Sequence, residues 1–287
     1  MNDNAPIPCT VAILTKNSAG TLGRALESVK NFSDIIVCDG GSTDDTVNIA
    51  GQYGARVIVQ DPAFLDAQGR IADFAAIRNQ TLGASRESWF FFLDSDEYIS
   101  KELENEIRRV TTSRTDGAFT LFRRYVLDGQ EVMCATTYPN PSTRLFAKSS
   151  VVGFIKKVHE RIELKPGVTA GTLQGKLFVP VEGTSGPSPT KMDYYIGLQI
   201  AQSMTSAKPF YRKFLDMLWW HARVSLLYML RLIQIRLFCR GTKMPLKIEL
   251  SRHVYHVRLL AALWRCRHEY RKRRRAEASG GADTAAL

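Results

Sequence analysis

The sequence predicts an α/β fold: a mostly parallel, doubly wound sheet with helices on both faces, followed by a basic helical segment. Three observations carry this expectation. Apolar runs of strand length alternate with helical periodicity four times before residue 100, the pattern of parallel strands joined by right-handed crossovers. The run from Trp89 to Glu97, WFFFLDSDE, opens with five consecutive apolar residues, as a strand buried on both faces does. Polar and acidic turns follow the runs, at the strand ends where open α/β sheets place their ligands.

In chain order, Cys9 to Leu14 reads as the first buried strand, closed by Thr15, Lys16 and Asn17. A helix over 21–30 follows, with Leu22, Ala25, Leu26 and Val29 on one face. Asp34 to Cys38 is the second strand. In the Asp39-Gly40-Gly41-Ser42-Thr43-Asp44-Asp45 stretch after it, the glycines permit a tight turn. Ser42 with Asp45 reads as a capping box on the next helix. Ala55 to Val59 is the third strand, and a helix over 70–84 leads into the Trp89 strand. On this topology Thr15–Asn17, Asp39–Asp44 and Asp94–Asp96 share one edge of the sheet. Asp94 and Asp96 flank a single residue, so one turn can aim both carboxylates at a point. Paired oxygen ligands suit Mg²⁺ or Mn²⁺, which then hold a diphosphate; a helix-capping turn is the alternative role. Neither GxxxxGK[ST] nor GxGxxG after the first strand occurs, so the nucleotide site is neither a P-loop nor the dinucleotide fingerprint.

Further on, Ser100 is placed to cap a helix reaching Val110. Gly117 to Leu127 and Glu131 to Thr137 read as a hairpin around Asp128-Gly129-Gln130. Thr143 to Phe146, Lys157 to Leu164 and Leu177 to Val181 add strands. The Gly/Pro/Ser-rich stretch 182–190, EGTSGPSPT, marks the domain boundary. The expected division is a catalytic domain over 1–185, a helical segment over 186–272 with helices near 190–205, 209–239 and 246–272, and a disordered tail over 273–287.

The blocks VAILTKNSAGTLGRALESV, DIIVCDGGSTDDT, IRNQTLGAS and WFFFLDSDE, in that order and spacing, resemble glycosyltransferase family 2. Within the family they are most similar to lipopolysaccharide-core β-1,4-glucosyltransferases acting on heptose. The resemblance covers roughly residues 9–165 and implies a GT-A fold and inverting transfer from a nucleotide-sugar, a UDP-sugar in the subgroup. It implies that Thr15, Asn17 and Asp39 contact the nucleoside. It places Arg78, Asn79 and Asp94 at the sugar-diphosphate, with Asp94 and Asp96 holding the divalent cation. Many members carry a second Asp where this chain has Gly40, which leaves one nucleoside contact open. The subgroup's TRLF-like stretch and its His-Glu pair are matched by Thr143 to Phe146 and by His159-Glu160. An inverting displacement needs a carboxylate to take the acceptor's proton. Of Asp116, Asp128, Glu131, Glu160, Glu163 and Glu182, the expected base is Glu160, with an ion pair to Lys156 or Arg161 as its alternative role. His159 orients that base, touches the diphosphate or metal, or is structural. The QxxRW-type sequence of the family's processive polymerases is absent, which points to transfer of a single sugar.

Charge divides the chain. Residues 208–275 hold 18 Lys+Arg against 3 Asp+Glu, a net of +15, while the remainder is mildly acidic at −4. The catalytic part therefore lacks the basic footprint of a nucleic-acid binder. Phe210 to Phe238 is largely apolar but interrupted by His221, Arg223, Arg231, Gln234 and Arg236. A basic stripe of Arg212, Lys213, Arg223 and Arg231, with Asp216 and Gln234, beside a wide apolar face and Trp219 and Trp220 suits the plane of a membrane interface. Arg271 to Arg275 adds a cluster that anionic lipid attracts. Residues 208–275 are thus expected on an anionic membrane surface, the acceptor being a lipid-linked saccharide such as lipopolysaccharide inner core; packing on the catalytic domain is the alternative. MNDNAPIP lacks the charged and apolar regions of a secretory signal. Five cysteines with no CxxC spacing are expected as reduced thiols. The expected location is cytoplasmic, peripheral on the inner membrane. His253 and His256 find no further metal ligands in the sequence and read as structural. The competing functions are transfer to a polyprenyl-linked or peptide acceptor, and a non-catalytic membrane-bound assembly role.

Overall fold

The structure, a computed structural model, describes residues 5–181, 188–204 and 209–268. The first half follows the expected alternation: β1 (Ile7–Thr15), α1 (Ala19–Val29), β2 (Phe32–Asp39), α2 (Thr46–Gln52), β3 (Arg56–Val59), α3 (Phe74–Gly83) and β4 (Trp89–Asp94). Then come β5 (Tyr98–Ile99), α4 (Lys101–Ser113), β6 (Ala118–Leu127), β7 (Gln130–Glu131), β8 (Pro141–Ala147), β9 (Val151–Ile155), β10 (Arg161–Leu164) and β11 (Ala170–Val181). The main sheet runs β3-β2-β1-β4-β8-β6-β11-β5, with β7 paired to β6 and β9–β10 as a separate two-stranded sheet. Strands β3, β2, β1 and β4 are mutually parallel. β8 enters antiparallel between β4 and β6. The α/β expectation is borne out, with a mixed rather than uniformly parallel second half.

Alternation along β4 shows why the sheet is covered on both faces. Phe91 and Leu93 join a core with Leu22, Leu26 and Val29 of α1 and Leu103 and Ile107 of α4. Phe90 and Phe92 point the other way, to Ala75 of α3, Phe146 and Phe154. Successive side chains of a strand leave on opposite faces, so an unbroken apolar run is what a doubly covered strand requires. Burying each such ring contributes about 2–3 kcal/mol.

Several local expectations change. The Ser42–Asp45 capping box does not form: Ser42 Oγ donates to Asp39 instead, and α2 has no side-chain cap bond. It ends on a Schellman pattern, Gly54 N–H to Gly51 O and Ala55 N–H to Ala50 O, with Gly54 at φ +68°. α3 starts at Phe74 rather than 70, where Asp73 accepts the Ala76 N–H at 3.0 Å. The Ser100 cap does form, accepting the Leu103 N–H at 3.2 Å. Residues 157–160 are a turn rather than strand, with Lys156 and His159 at positive φ. The expected hairpin shrinks to β6–β7, because Val132–Tyr138 groups with the helices in a second compact unit. The boundary placed at 182–190 lies largely outside the described residues.

That second unit contains α5 (Pro189–Met204), α6 (Phe210–Phe238) and α7 (Leu246–Arg265). Residues 132–138 are stapled to it: Thr136 N–H and Oγ donate to the buried Glu249 carboxylate, and Arg231 Nη1 donates to Thr136 O at 3.1 Å. Arg231 therefore leaves the expected surface stripe. Cys134 and Cys239 form a disulfide, correcting the expectation of reduced thiols throughout; Cys9, Cys38 and Cys266 are free. Spacing could not show this pair, since 105 residues separate the two. His221 of α6, 7% exposed, packs 4.7 Å from the His256 ring. Among the described residues no helix is long and apolar enough to cross a membrane.

Candidate active site

Strand register assembles the site. Thr15 pairs with Asp39 between β1 and β2, and Leu14 with Asp94 between β1 and β4. Three chain segments with little sequence proximity thus end at one edge. Asp39, 5% exposed, organises the first part. Its carboxylate accepts from Thr15 Oγ1 (3.0 Å), Gly41 N–H (2.9 Å), Ser42 N–H (2.8 Å) and Ser42 Oγ (2.5 Å). Asn17, at φ +50°, accepts the Thr43 N–H at 2.8 Å and donates its own N–H to Ser42 Oγ at 2.8 Å. Thr15, Asn17 and Asp39 therefore shape one loop pair. Gly40 is explained by Gln60, which the sequence did not single out. A Cβ at 40 would lie 2.8 Å from Gln60 Oε1, while Gln60 Nε2 bridges the Thr15 and Cys38 carbonyls at 3.2 Å each.

The second part is a charge cluster at the end of β4. Asp94 faces two buried arginines: Nη2 of Arg78 hydrogen-bonds one carboxylate oxygen, and Nη2 of Arg144 lies 3.5 Å from the other. Both guanidiniums stack on Phe92, at 4.8 and 4.4 Å from its centroid. Glu97, 2% exposed, accepts the Asp94 N–H at 3.1 Å and the Arg144 Nη2 at 3.2 Å. Its partial burial works to raise the Asp94 carboxyl, but Arg144 and then Arg78 outweigh it and hold the group down at about 2. For Glu97 burial wins over the attraction of Arg144, with Asp94 adding repulsion, and lifts it to about 7. Of the adjacent Arg123 and Arg124, Arg123 is the one whose charge reaches Asp94 and Glu97; Arg124 pairs with Glu131. Ser95, between the two aspartates, donates to Ser18 Oγ at 3.1 Å, tying the acidic turn to the loop before α1.

Glu160 joins this cluster through α3. The Asn79 amide is closed on the Phe154 backbone, donating to its O at 2.9 Å and accepting its N–H at 2.8 Å. Phe74 N–H donates to Lys157 O at 3.0 Å. These bonds lay the 156–160 turn along α3 and bring Glu160 to 3.6 Å from Arg78 Nε. The expected ion pairs of Glu160 with Lys156 or Arg161 are not the ones formed. His159 is exposed at φ +54°, and Asn79 is engaged as a brace rather than with the carboxylates. The sequence reading assigns no role to Arg144 or Glu97, although Glu97 closes the WFFFLDSDE block and Arg144 sits inside the TRLF stretch, the traces that could have pointed to them.

The acidic turn fits a divalent cation. The Asp94 side chain is 42% exposed and Asp96 is exposed, so oxygens of both are reachable. Among the described residues no group of three or more His, Cys, Asp or Glu could by itself hold an ion. A two-carboxylate set matches cations that complete their shell with substrate phosphates and water.

Residues 10–155 match the family described as Glycosyl transferase family 2. An uncharacterized glycosyltransferase of Rickettsia felis is 30% identical over 226 residues, 72% of this chain and 75% of that protein. Another, from Rickettsia conorii, is 28% identical over 238 residues, 77% and 79% of the respective chains. Among solved structures, S. aureus TarS 1–349 in complex with UDP-GlcNAc aligns at 15% identity and a TM-score of 0.44, over 89% of this chain and 80% of that one.

Proposed function

Because the chain belongs to glycosyl transferase family 2, we propose that it moves a single sugar, with inversion, from a UDP-sugar to a lipid-linked saccharide, of which lipopolysaccharide inner core is the leading case. The observation that carries the reaction is the convergence of Asp94, Arg78 and Glu160 at one sheet edge. Thr15, Asn17 and the loop built on Asp39 receive the nucleoside. Arg78 Nε and Nη1, buried and without hydrogen-bond partners, are donors suited to diphosphate oxygens. Asp94 and Asp96 hold Mg²⁺ or Mn²⁺, which when bound stabilises the leaving diphosphate as a Lewis acid. Glu160 takes the proton of the acceptor hydroxyl as its oxygen bonds to the anomeric carbon and the bond to the diphosphate breaks. His159 neighbours this base in the chain and orients it.

Transfer takes place at an anionic membrane surface on the cytoplasmic side, reached through residues 208–275. The support is the outward side of α6. Trp219, Trp220, Leu226, Leu230 and Leu237 are 57–72% exposed there, with Arg212 and Arg223 beside them, also exposed. Apolar side chains with a basic flank suit an interfacial helix. The alternative acceptors, a polyprenyl-linked sugar or a peptide side chain, use the same donor chemistry.

Calorimetric titration with UDP-, GDP-, dTDP- and ADP-sugars, each with and without Mn²⁺, tests the reading. Selective Mn²⁺-dependent binding of a UDP-sugar is expected. Preference for another base moves the donor assignment, and binding of none overturns it.

A further inference from the structure

The turn that delivers Glu160 carries cations on its outside. It is the loop 156–160 between β9 and β10, closed by the pairing of Ile155 with Arg161. Val158, 3% exposed, and the Lys157 carbonyl, which accepts the Phe74 N–H, hold it down. Glu160 turns inward to Arg78, whereas Lys156, Lys157, His159 and Arg161 are exposed. Residues 156–161 thus set three full positive charges around one carboxylate, in a part of the chain that is mildly acidic as a whole. Among the described residues no carboxylate pairs with Lys156 or Arg161, and Lys157 only reaches Asp73, at 4.0 Å. The backbone resists this arrangement. Lys156 lies at φ +73° and His159 at φ +54°. The other non-glycine residues at positive φ, Asn17 and Asp128, are of the types that tolerate the left-handed region; lysine is not. Glycine at 156 would satisfy the fold with less strain, and a charge that only meets water has no need of that position. Strain kept beside a reacting group points to use.

We propose that residues 156–161 form an acceptor-recognition rim, selecting a saccharide that carries an anionic group, phosphoryl or carboxylate, beside the hydroxyl that receives the sugar. This rests on the reading above that Glu160 takes the acceptor's proton, because that role fixes where the hydroxyl sits. Glu160 and Arg161 are consecutive, their Cα atoms about 3.8 Å apart, so a saccharide whose hydroxyl meets Glu160 brings its neighbouring substituents to the rim. Arg161 offers such a group a planar fork, and Lys156 and Lys157 offer compact ammonium charges. A neutral saccharide leaves these cations to water and gains nothing from them. An anionic one gains charge-assisted hydrogen bonds. The rim therefore separates acceptors that present the same hydroxyl.

The test is a saturation-transfer NMR titration of the full-length protein at low salt, saturated with UDP and MnCl₂, using glucose, glucose 6-phosphate and glucuronate as probes. The anionic sugars should bind about tenfold or more tightly than glucose, the worth of one charge-assisted hydrogen bond. Lys156→Gly combined with Arg161→Gln should bring that preference to within about twofold, the remainder being unspecific surface attraction. The double variant should melt no lower than wild type, since glycine suits the positive φ at 156; a merely structural loop would lose stability instead. Arg109→Gln removes an exposed charge from α4 and should leave the preference unchanged. Anionic vesicles free of saccharide test the other source of phosphate, and the double variant should sediment with them as wild type does. Equal binding of the three sugars, an unchanged preference in the double variant, or its loss in Arg109→Gln overturns the rim. Loss of vesicle binding with the sugar preference intact overturns it in favour of lipid headgroups. No turnover enters these measurements, so they hold whether or not Glu160 proves to be the base. Should UDP not bind, the donor reading falls separately, and the comparison of wild type with the double variant still decides the rim.

Discussion

The Glu160 carboxylate lies 3.6 Å from Nε of Arg78, although 82 positions separate the two residues in the chain. Because Arg78 also bonds Asp94, the carboxylate proposed as base and the carboxylate proposed for the cation meet at one guanidinium. If Glu160 is the base, Glu160→Gln keeps the shape, donor affinity stays within a few-fold, and turnover falls on the order of 10²-fold or more. Steady-state kinetics alongside calorimetry measures both; near-normal kcat would move the role to Asp116 or to Glu182, the latter outside the described residues.

Asp96 tests the acidic turn with the least structural disturbance, since it is exposed whereas Asp94 is woven into the arginine cluster. Asp96→Ala should melt within about 1–2 °C of wild type and lose Mn²⁺-dependent donor binding. Equal donor affinity in wild type and variant, with and without EDTA, would remove the metal assignment.

Acid should weaken the helical unit. Burial, and then His221 and His253, push the His256 imidazole down to about 4; burial lowers His221 as well. His253 meets Ser225 Oγ through Nδ1. The unfolded chain, titrating near 6.5, binds more protons than the folded one between about pH 6.5 and 4. Stability is therefore fully present above about 6.5 and declines as pH falls through that window. Melting curves of wild type and His256→Phe at pH 7.5 and 4.5 check this: the variant should lose less stability on acidification. Equal losses would place the acid sensitivity elsewhere.

The bridge between Cys134 and Cys239 predicts that thiol titration of the unreduced, denatured protein finds three reactive cysteines out of five. Reduction should destabilise the helical unit by up to about 5 kcal/mol on the chain-entropy account of a loop this long. A count of five thiols in protein purified without reductant would contradict the bridge.

Full-length protein should sediment with anionic vesicles and not with neutral ones, and removing residues 208–287 should release it. Trp219→Ser with Trp220→Ser should weaken binding by at least about tenfold, since each ring withdraws on the order of 100 Å² of apolar surface from water. Salt should weaken binding only in part, because the apolar term is unscreened. Protein that stays in the supernatant with anionic vesicles at low salt would show that the α6 surface serves another purpose.

The first half of the sheet, and the edge at which its polar turns gather, are legible in the chain alone. Short, aromatic apolar runs that end abruptly in Asp, Gly and Ser turns read as strands covered on both faces, and Thr15, Asp39 and Asp94 are adjacent as a consequence of that order. What those carboxylates face depends on the packing of distant segments. Arg144 arrives from an antiparallel strand inserted beside β4, Glu160 arrives on a turn pinned by Asn79 and Phe74, and Gln60 fills the space beside Gly40. Cys134 meets Cys239 because residues 132–138 leave the sheet for the helices. None of these has a local period or spacing to read, since each depends on which distant segment packs against which. Hydrophobic patterning encodes how a segment is buried, whereas the partner of a buried charge is set by long-range register, where burial leaves an arginine no option but the nearest carboxylate.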